Sequence, residues 1–375
     1  IQKNSFFDFA IKEIKSDQEL ILMANHQDVA QARDAGKDAA FIDRLELNQD
    51  RLEGICATLE EIKLFPDPVG KILANWDRPN GLNISRVSTP LGVIGIIFES
   101  RPNVASDAGG LCLKSGNAVI LRSGKDGLRS ASALVTAMQK ALLKAGLPKE
   151  SIQIVPSENR EAATLMLEGL NGSIDVIVPR GGKSLVAEVE KSAKVPVFGH
   201  LEGICHVYVD EHADLKKALE ICINAKMRRT GICGAAETIL LHQKIATSFG
   251  PDLIAKLSSL NCEVRGCKKT LSLDRYVIPA TEEDWSTEYL APIISIKVVD
   301  DAEEAIQHIN SYGTGHTESI ISEDLNSQNQ FTASIDSAIV MINTSTQFAD
   351  GGEFGLGGEI GIATGKFHAR GPVGL

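Results

Sequence analysis

Hydrophobic and polar residues follow one another along most of this chain in a pattern that predicts regular strands and helices. Between Gly92 and residue 210, short apolar runs are separated by longer segments in which apolar residues recur at helical spacing. The short runs predict buried strands and the longer segments predict helices. The predicted strands span residues 93–98, 118–121, 152–155, 176–178, 195–198 and 207–209, and the helices include 131–145 and 160–170. Apolar strands that alternate with helices are typical of a parallel sheet covered on both faces.

A second series of the same kind follows a predicted helix over residues 214–228. Its strands are predicted at 237–241, 293–298, 318–321 and 338–342, and its helices at 243–257, 302–310 and 324–331. A chain of 375 residues also exceeds the usual size of a single core. We therefore expect a cofactor domain over residues 1–228, a catalytic domain over 229–344, and a glycine-rich segment over 345–375 that returns to the cofactor domain and the site.

The amino-terminal part of the chain has a different pattern. Apolar residues at helical spacing predict helices over residues 5–36 and 39–64, and proline and glycine residues end the second. Asn80 and Gly81 then form the strongest short signal for a tight turn, with alternating residues after them. We predict a hairpin within residues 72–90 and assign it to contacts between subunits.

The composition limits the possible partners. Acidic residues outnumber basic ones by 49 to 38, and the net charge of −11 argues against a nucleic-acid surface. No apolar run approaches the roughly 18 residues of a membrane span, and the first residues lack the pattern of a signal sequence. The seven cysteines include no Cys-x-x-Cys pair, which argues against a zinc site or a disulfide framework. We expect a cytoplasmic protein with a small-molecule substrate, no metal, and no membrane or nucleic-acid partner.

Cys233 is the leading candidate for a catalytic nucleophile. It lies in a turn of small residues between the predicted 214–228 helix, which ends near Arg228 and Arg229, and the strand that follows. A junction between two α/β domains is a common position for a cleft, and neighbouring positive charge lowers the pKa of a thiol. A small buried core residue is the alternative interpretation. Whether the two arginines tune the thiol or bind a phosphate is also open.

Two glycine-rich motifs resemble nucleotide-binding sequences. The motif over residues 355–361 neither follows a predicted strand nor opens a helix, so we reject it as a dinucleotide fingerprint. Gly181 and Gly182 follow a predicted strand and start a helix, which suits a phosphate bound by backbone N–H groups. Ile177 stands where a Walker motif requires glycine, so a kinase loop is disfavoured. An ordinary turn is the alternative for this glycine pair.

Motifs in the same order along nearly the whole chain resemble one known family. They are PLGVIG (90–95), ESRPN (99–103), LKSGNA (113–118), VPRGG (178–182), HLEGICH (200–206), the stretch around Cys233 (226–241), EYLAP (288–292), HIN (308–310), GTGHT (313–317) and HARGP (368–372). With this set the chain is similar to the γ-glutamyl phosphate reductases of the aldehyde dehydrogenase superfamily. The resemblance implies an aldehyde-dehydrogenase-like α/β fold with two Rossmann-type domains and a protruding oligomerisation hairpin, in a homo-oligomer such as a dimer or tetramer.

The resemblance also implies a reaction, the NADPH-dependent reduction of L-glutamyl 5-phosphate to L-glutamate 5-semialdehyde in proline biosynthesis. The Cys233 thiolate attacks the acyl phosphate, phosphate leaves, and the resulting thioester takes a hydride before the hemithioacetal collapses to the aldehyde. The backbone N–H of Cys233 and the side chain of Asn103 bind the oxyanion in this account. The alternative for Asn103 is a helix cap.

The resemblance assigns further residues to the cofactor and the substrate. Arg122 matches a lysine near the adenine ribose, and a cation there favours the 2′-phosphate of NADPH. Gly181 and Gly182 match the loop beneath the pyrophosphate, and Glu288 matches the glutamate that holds the nicotinamide ribose. Candidates for binding the substrate's amino and carboxylate groups are Arg101, His316 and Arg370.

Two positions depart from the wider superfamily. Members that oxidise aldehydes keep a glutamate base that activates water, and His200 stands at the aligned position here, with Glu202 two residues on. A reductase does not hydrolyse its thioester, so this change supports reduction. Gln347 stands where relatives often have arginine, so substrate contacts near it are open. An aldehyde dehydrogenase that releases acid and a non-catalytic nucleotide-binding scaffold are the rival hypotheses.

Overall fold

The computed structural model describes residues 2–366, which form two compact units. The first unit contains the chain up to Gly199 together with Gly357–Gly361, and the second contains His200–Leu356 and the segment that starts at Ile362. The units divide between residues 199 and 200, whereas the alternation of strands and helices predicts a division near residue 228. The strand and helix between these two points belong to the sheet of the second unit.

Four helices open the first unit. They are α1 (Gln2–Ser16), α2 (Gln18–Asp34), α3 (Ala39–Leu45) and α4 (Gln49–Leu64). The carboxylate of Asp38 and the carboxamide of Asn48 cap α3 and α4 by accepting hydrogen bonds from backbone N–H groups. Such caps satisfy amides that a helix start otherwise leaves unpaired. The region over residues 5–36, predicted to be helical, contains two helices, α1 and α2.

The predicted hairpin is present as a separate two-stranded sheet. β1 (Ile72–Asp77) and β2 (Asn83–Val87) are antiparallel, and Gly81 in the connection has a positive φ of 86°. Glycine adopts such a backbone conformation without steric cost. Nearly all residues of both strands are exposed.

The sheet of the first unit has four parallel strands in the order β5-β4-β3-β6. Its elements are β3 (Val93–Phe98), α5 (Asn103–Lys114), β4 (Ala118–Ser123), α6 (Leu128–Lys144), β5 (Ile152–Ile154), α7 (Arg160–Leu167), β6 (Val176–Arg180) and α8 (Lys183–Ser192). Buried apolar residues of β3 and β4 pack with those of α1, α4, α5 and α6 in one core. The helices that open the chain therefore cover one face of this sheet.

The predicted strand over residues 195–198 is not a strand of the sheet. Val197 forms a single bridge to Ile177 of β6, with two backbone hydrogen bonds. Pro196 lacks a backbone N–H, so the segment has no donor there for a longer ladder. This strand prediction was wrong.

The second unit contains a seven-stranded parallel sheet in the order β10-β9-β11-β8-β7-β12-β13. Its elements are β7 (Cys205–Val209), α9 (Leu215–Met227), β8 (Ala236–His242), α10 (Gln243–Ser259), β9 (Glu263–Gly266), α11 (Lys268–Leu271), β10 (Ile278–Pro279), β11 (Ile293–Val299), α12 (Ala302–Tyr312), β12 (Thr317–Ile321), α13 (Leu325–Ser334) and β13 (Ile339–Ile342). Because β7 lies between β8 and β12, it belongs to this sheet. No helix in the described part of the chain is long and apolar enough to cross a membrane.

Candidate active site

Cys233 lies in the turn that joins α9 to β8. Asp214 caps the start of α9, because its carboxylate accepts hydrogen bonds from two backbone N–H groups of the first turn, and Arg228 is the cap residue at the other end. The backbone N–H of Ala235 then donates to the carbonyl oxygen of Ile232 at 3.0 Å, which closes the turn just before β8 begins. The side chain of Cys233 is partly exposed. The turn therefore places the thiol at the amino-terminal end of β8, an interior strand of the sheet.

The other cysteines are poorer candidates for a nucleophile. None of the seven forms a disulfide, and five are buried. Burial raises the pKa of the Cys112 thiol to about 12 and that of Cys262 to about 11. Cys267 is also partly exposed; burial opposes its ionisation, but hydrogen bonds from Thr270 and from the Val298 backbone N–H lower the pKa of its thiol. Cys267 is therefore the matched control for any experiment on Cys233.

Gly203 holds the turn in place from the neighbouring loop. A Cβ atom at this position would lie 2.1 Å from the carbonyl oxygen of Cys233, so only glycine fits. The backbone N–H of Gly203 donates to the Glu288 carboxylate at 2.9 Å, and the thiol of Cys205 donates to the Cys233 carbonyl oxygen at 3.1 Å. Glu288 thus has a contact that the sequence did not predict, since it fixes the loop that supports Cys233.

Two histidine rings lie beside Cys233. His200 lies in the short loop before β7, and His316 immediately precedes β12. The sulfur of Cys233 and one nitrogen each of His200 and His316 all lie within 4.8 Å of one another. The two ring centroids are 4.7 Å apart and the rings meet edge to face. The sequence assigned these histidines to separate roles, and the structure brings both of them to the thiol.

Hydrogen bonds fix the orientation of both rings. Nδ1–H of His200 donates a hydrogen bond to the carbonyl oxygen of Ile362 at 2.8 Å. His316 is fully buried, and its Nδ1 lies 2.9 Å from the hydroxyl oxygen of Thr317. Its Nε2 has no hydrogen-bond partner among the described residues. Burial, and secondly the neighbouring His200, lower the pKa of His316 to about 3, so its ring is neutral at physiological pH.

A buried ion pair lies below the turn. The ammonium group of Lys226, at the end of α9, contacts the carboxylate of Glu237 on β8, and both side chains are buried. The other carboxylate oxygen of Glu237 accepts a hydrogen bond from the Leu290 backbone N–H at 3.3 Å. Burial raises the pKa of Glu237 to about 7, and the positive charge of Lys226 opposes that rise. The pair ties the two elements on either side of Cys233 together, and removing one partner would leave an uncompensated buried charge.

The two arginines near the turn differ in their surroundings. The guanidinium of Arg228 donates to Glu353 at 3.1 Å and lies 5.0 Å from the centroid of the Phe348 ring. The guanidinium of Arg229 is exposed and makes no hydrogen bond or ion pair within the described part of the chain. Arg228 is therefore already neutralised, whereas Arg229 is available to an anion.

Gln347 is buried and contacts the last turn of α9. Its side-chain N–H donates to the carbonyl oxygen of Ala225 at 2.8 Å. The neighbouring Thr346 carbonyl oxygen would lie 3.2 Å from a Cβ atom at Gly234. The segment around Gln347 therefore packs directly against the turn that carries Cys233.

Asn103 in the first unit is the first residue of α5. The cap position of this helix is Pro102, and no side chain caps it. The Asn103 carboxamide instead donates to the Asp107 carboxylate at 2.8 Å, one helical turn along. Burial raises the pKa of Asp107 to about 6, although hydrogen bonds from Asn103 and Ser106 oppose the rise. The helix-cap alternative for Asn103 is thus not what the structure has.

A cavity of about 550 Å³ opens beside Asn103 within the first unit. Charged side chains of both signs line it, contributed by α3, α4, the loop between them, the loop before α5 and the first turns of α5. They are Asp43, Arg44, Glu46, Asp50, Arg51, Arg101 and Asp107. Its volume falls within the range of small-molecule sites, about 300–1,000 Å³.

Arg122 lies on β4, near its carboxyl end, and is half-buried. Its Nε atom is buried and has no hydrogen-bond partner among the described residues. Burial lowers the pKa of Arg122, and the positive charge of Arg160 at the start of α7 lowers it further. Two guanidinium groups that repel each other at one strand end form a natural binding site for a phosphate group. These residues therefore fit a 2′-phosphate, and Arg160 is a residue that the sequence did not single out.

The glycine pair that follows β6 has an acidic neighbour. The backbone N–H of Gly182 donates to the Glu99 carboxylate at 2.9 Å. A Cβ atom at Gly181 would lie 2.6 Å from the same oxygen. The start of α8 therefore binds a negative group in this structure, as a helix amino terminus does. A pyrophosphate at this position would have to displace Glu99.

Several functional contacts were absent from the sequence-based prediction. Arg160 and Asp107 are recognisable only once the helices place them beside Arg122 and Asn103. Lys226 and Glu237 gave no separate signal, because their pairing depends on how α9 and β8 pack. Arg370, a predicted substrate residue, lies outside the described residues.

Comparison with known proteins agrees with this fold. The model of the aldehyde dehydrogenase family matches residues 66–269 and 277–368 of the chain. The chain is 55% identical over 374 residues to the gamma-glutamyl phosphate reductase of Parvibaculum lavamentivorans, covering 100% of this chain and 88% of the relative. It is 56% identical to the enzyme of the same name from Brucella suis, covering 89% of that protein.

A solved structure is similar over the whole chain. It is the crystal structure of gamma-glutamyl phosphate reductase from Thermotoga maritima, with a TM-score of 0.93 and 45% sequence identity. The match covers 100% of this chain and 90% of that one. The relatives found by sequence and the solved structure found by fold therefore carry the same name.

Proposed function

Because the chain belongs to the γ-glutamyl phosphate reductase family of aldehyde dehydrogenases, we propose that it reduces L-glutamyl 5-phosphate to L-glutamate 5-semialdehyde and phosphate with NADPH, in proline biosynthesis. The observation that carries the proposal is the turn between α9 and β8. It presents the partly exposed thiol of Cys233 beside two histidine rings, above a buried ion pair. This arrangement supports a fixed sulfur nucleophile.

Cys233 forms the covalent intermediate. Its thiolate attacks the carbonyl carbon of the acyl phosphate, and the carbon–oxygen bond to phosphate then breaks, which leaves a thioester. Hydride addition gives a hemithioacetal, and the carbon–sulfur bond breaks to release the aldehyde and regenerate the thiolate. NADPH supplies the hydride when it is bound. Asn103 and the backbone N–H of Cys233 are the proposed donors to the oxyanion.

Five residues are assigned to the cofactor. Arg122 and Arg160 bind the 2′-phosphate, and the N–H groups that follow β6 at Gly181 and Gly182 bind the pyrophosphate. The unpartnered Nε of Arg122 and the electrostatic effect of Arg160 on it support the first assignment. Glu288 holds the nicotinamide ribose, and its hydrogen bond to Gly203 supports a position close to the thiol.

The substrate is assigned to positive and neutral polar groups. Arg229 receives the phosphate, which its exposure and lack of a protein partner among the described residues support. Arg101 borders the charged cavity next to Asn103 and binds the α-carboxylate. His316, and Arg370 beyond the described residues, complete the substrate contacts. A location in the cytoplasm accords with seven cysteines that form no disulfide.

The hairpin of β1 and β2 is proposed as the subunit contact of a homo-oligomer. Its exposed apolar side chains include Ile72, Leu73, Trp76, Leu82 and Val87. A ribbon of two strands that exposes this many large apolar groups gains stability by covering them.

The proposal is tested by the reverse reaction, which is the reduction of NADP⁺ by glutamate semialdehyde in the presence of phosphate. Cys233→Ala and Cys233→Ser should lose at least about 10³-fold in kcat, because each removes the thiol that forms the acyl intermediate. Cys267→Ser, which removes the other partly exposed thiol, should retain the activity of the wild type. Turnover that survives in Cys233→Ala would contradict the assignment of the nucleophile.

A further inference from the structure

The group formed by Cys233, His200 and His316 has the composition of a metal site. Thiolate and imidazole together are the ligands that zinc prefers. Among the described residues, this is the one group of three such side chains whose ligand atoms lie close together, within 4.8 Å of one another. Its members come from three separate loops, which is why the spacing of the cysteines in the sequence gave no sign of it.

The hydrogen bonds of the two histidines prepare them for a metal. Nδ1 of His200 donates to the Ile362 carbonyl oxygen, and Nδ1 of His316 lies at hydrogen-bond distance from the Thr317 hydroxyl. Histidines that bind metals usually donate their other ring N–H to such a group, which leaves a lone pair for the metal. The nitrogen available on each ring is therefore Nε2.

The Nε2 atom of His316 is the strongest single indication. His316 is fully buried, and this nitrogen has no hydrogen-bond partner in the described part of the chain. Leaving a buried polar atom without a partner is unfavourable for the folded chain. A metal ion would satisfy it. Cys233 and His200 are partly exposed, so an ion can enter from solvent.

The distances suit zinc after a small adjustment. Zinc binds sulfur at about 2.3 Å and imidazole nitrogen at about 2.0–2.1 Å, so tetrahedral ligands lie roughly 3.3–3.7 Å apart. The three ligand atoms here are at most 4.8 Å apart. Rotation of the partly exposed Cys233 side chain can close a gap of about 1 Å while His200 keeps its hydrogen bond to Ile362. The fourth position is left to water.

We infer that Cys233, His200 and His316 form a binding site for a single Zn²⁺ ion, and that its occupation reversibly blocks the nucleophile. The lone pair of the Cys233 thiolate that attacks the acyl phosphate would then be bound to the metal, and the thiol proton is released to solvent on binding. The block of activity depends on the proposed function of Cys233, whereas the metal site itself does not.

Titration of the untagged chain with Co²⁺, a spectroscopic substitute for zinc, tests the site directly. One equivalent should produce a thiolate-to-cobalt charge-transfer band. Cys233→Ala should lack this band, and His200→Gln should bind at least about tenfold more weakly, since even indirect supports of a metal site are worth 10–100-fold in affinity. Cys267→Ser and His212→Asn, which alter the other partly exposed thiol and an exposed histidine, should bind like the wild type.

His316→Gln is expected to behave like His200→Gln, and circular dichroism must show that this buried variant is folded. If it does not fold, His200→Gln decides. A charge-transfer band that persists in Cys233→Ala, or equal affinity in His200→Gln and wild type, would overturn the metal site.

A second measurement separates the site from its effect on the reaction. Zn²⁺ should inhibit phosphate-dependent reduction of NADP⁺, a chelator should restore it, and saturating semialdehyde should raise the zinc concentration needed for half inhibition. Cobalt binding that depends on Cys233 without inhibition by zinc would overturn the block of activity and count against Cys233 as the nucleophile. Absence of the cobalt band in the wild type would overturn the metal site and leave the proposed role of Cys233 untouched.

Discussion

Asp107 shows how a single side chain combines a structural and a chemical effect. Its carboxylate accepts the hydrogen bond of the Asn103 carboxamide at 2.8 Å, so it sets the direction of that amide. The same carboxylate is costly to ionise where it lies, because burial raises its pKa to about 6. The residue therefore gives up some stability at neutral pH for a fixed orientation of Asn103.

Asp107→Asn is expected to change how stability depends on pH. The folded chain binds the Asp107 proton more tightly than the unfolded chain, since the pKa rises from 3.8 to about 6. The stabilisation that comes from binding this proton more tightly in the folded chain is therefore complete below pH 3.8. It is lost as the pH rises through about 6. Relative to wild type, the variant should gain about 1 kcal/mol of unfolding free energy between pH about 5 and about 7. Urea unfolding over this range measures the gain.

The control is Asp252→Asn, which removes an exposed carboxylate from α10 in the second unit. It should show no gain with pH over the same interval. A constant difference between Asp107→Asn and wild type at all pH values would contradict the raised pKa.

At the residue scale, motifs identified Cys233, Asn103 and Glu288, but their contacts were not predictable. The hydrogen bond from Asn103 to Asp107 requires the helix to begin at residue 103, which a pattern locates only to within a few residues. The contact of Glu288 with Gly203 joins two loops that are far apart in the sequence. Such pairings depend on tertiary packing, which a single sequence does not contain.

At the scale of elements, the loop before β7 and the turn before β8 are in direct contact. Gly203→Ala should displace the turn, because the new Cβ would lie 2.1 Å from the Cys233 carbonyl oxygen. We expect kcat to fall about 100-fold or more, as a displacement of about 1 Å at a reacting atom does. The rate of alkylation of Cys233 by iodoacetamide, read by mass spectrometry, should change as well.

Gly54→Ala is the matched control, because a Cβ atom there meets nothing within 4 Å on helix α4. The alkylation rate of Cys233 should be the same in that variant as in wild type. If Gly203→Ala alkylates and turns over like wild type, the close contact does not position the thiol.

The end of β4 and the start of α7 together bear on cofactor choice. Arg122→Ala and Arg160→Ala should each raise the KM for NADPH by about 10–100-fold, since each removes a charged partner of the 2′-phosphate. The KM for NADH should change less than about threefold, because NADH lacks that phosphate. Steady-state kinetics with both cofactors measure the difference.

Arg275→Ala supplies the control, since this arginine stacks on its neighbour Tyr276 in the second unit. It should leave both KM values unchanged. Equal losses for NADPH and NADH in the Arg122 and Arg160 variants would remove their assignment to the 2′-phosphate.

Most elements were predictable from periodicity because their buried faces are continuous. The strand over residues 93–98 was predicted with the bounds that the structure has, and the 214–228 helix differs only by its capping residues. The edge strand β10 and its neighbour β9 were missed, since β9 contains charged residues and β10 has only two residues. Short, partly exposed strands at the side of a sheet carry little apolar signal in their sequences.

At the scale of the whole molecule, the pattern predicts two α/β units that divide near residue 228, whereas the compact units of the structure divide between residues 199 and 200. A parallel strand can pair with neighbours from anywhere in the chain, so the sequence did not reveal that β7 lies between β8 and β12. The hairpin was predictable from its turn, whereas what covers its apolar side chains is not a property of one chain.

Leu73→Asp combined with Trp76→Asp should convert an oligomer into a monomer, because both exposed apolar side chains lie on the hairpin. Light scattering coupled to size-exclusion chromatography measures the mass. Leu143→Asp, which changes an exposed leucine of α6, should leave the mass of the wild type unchanged. A monomeric wild type, or an oligomer that survives the double substitution, would contradict the assignment of the hairpin.

When the proposed reaction runs from semialdehyde to acyl phosphate, phosphate and not water resolves the thioester on Cys233. The most direct measurement mixes the enzyme with NADP⁺ and glutamate semialdehyde in the absence of phosphate. We predict a burst of about one NADPH per chain, an acyl group on the Cys233 peptide by mass spectrometry, and rapid turnover only when phosphate is added. Equally fast steady turnover without phosphate, or an acyl group that still forms in Cys233→Ala, would contradict the account.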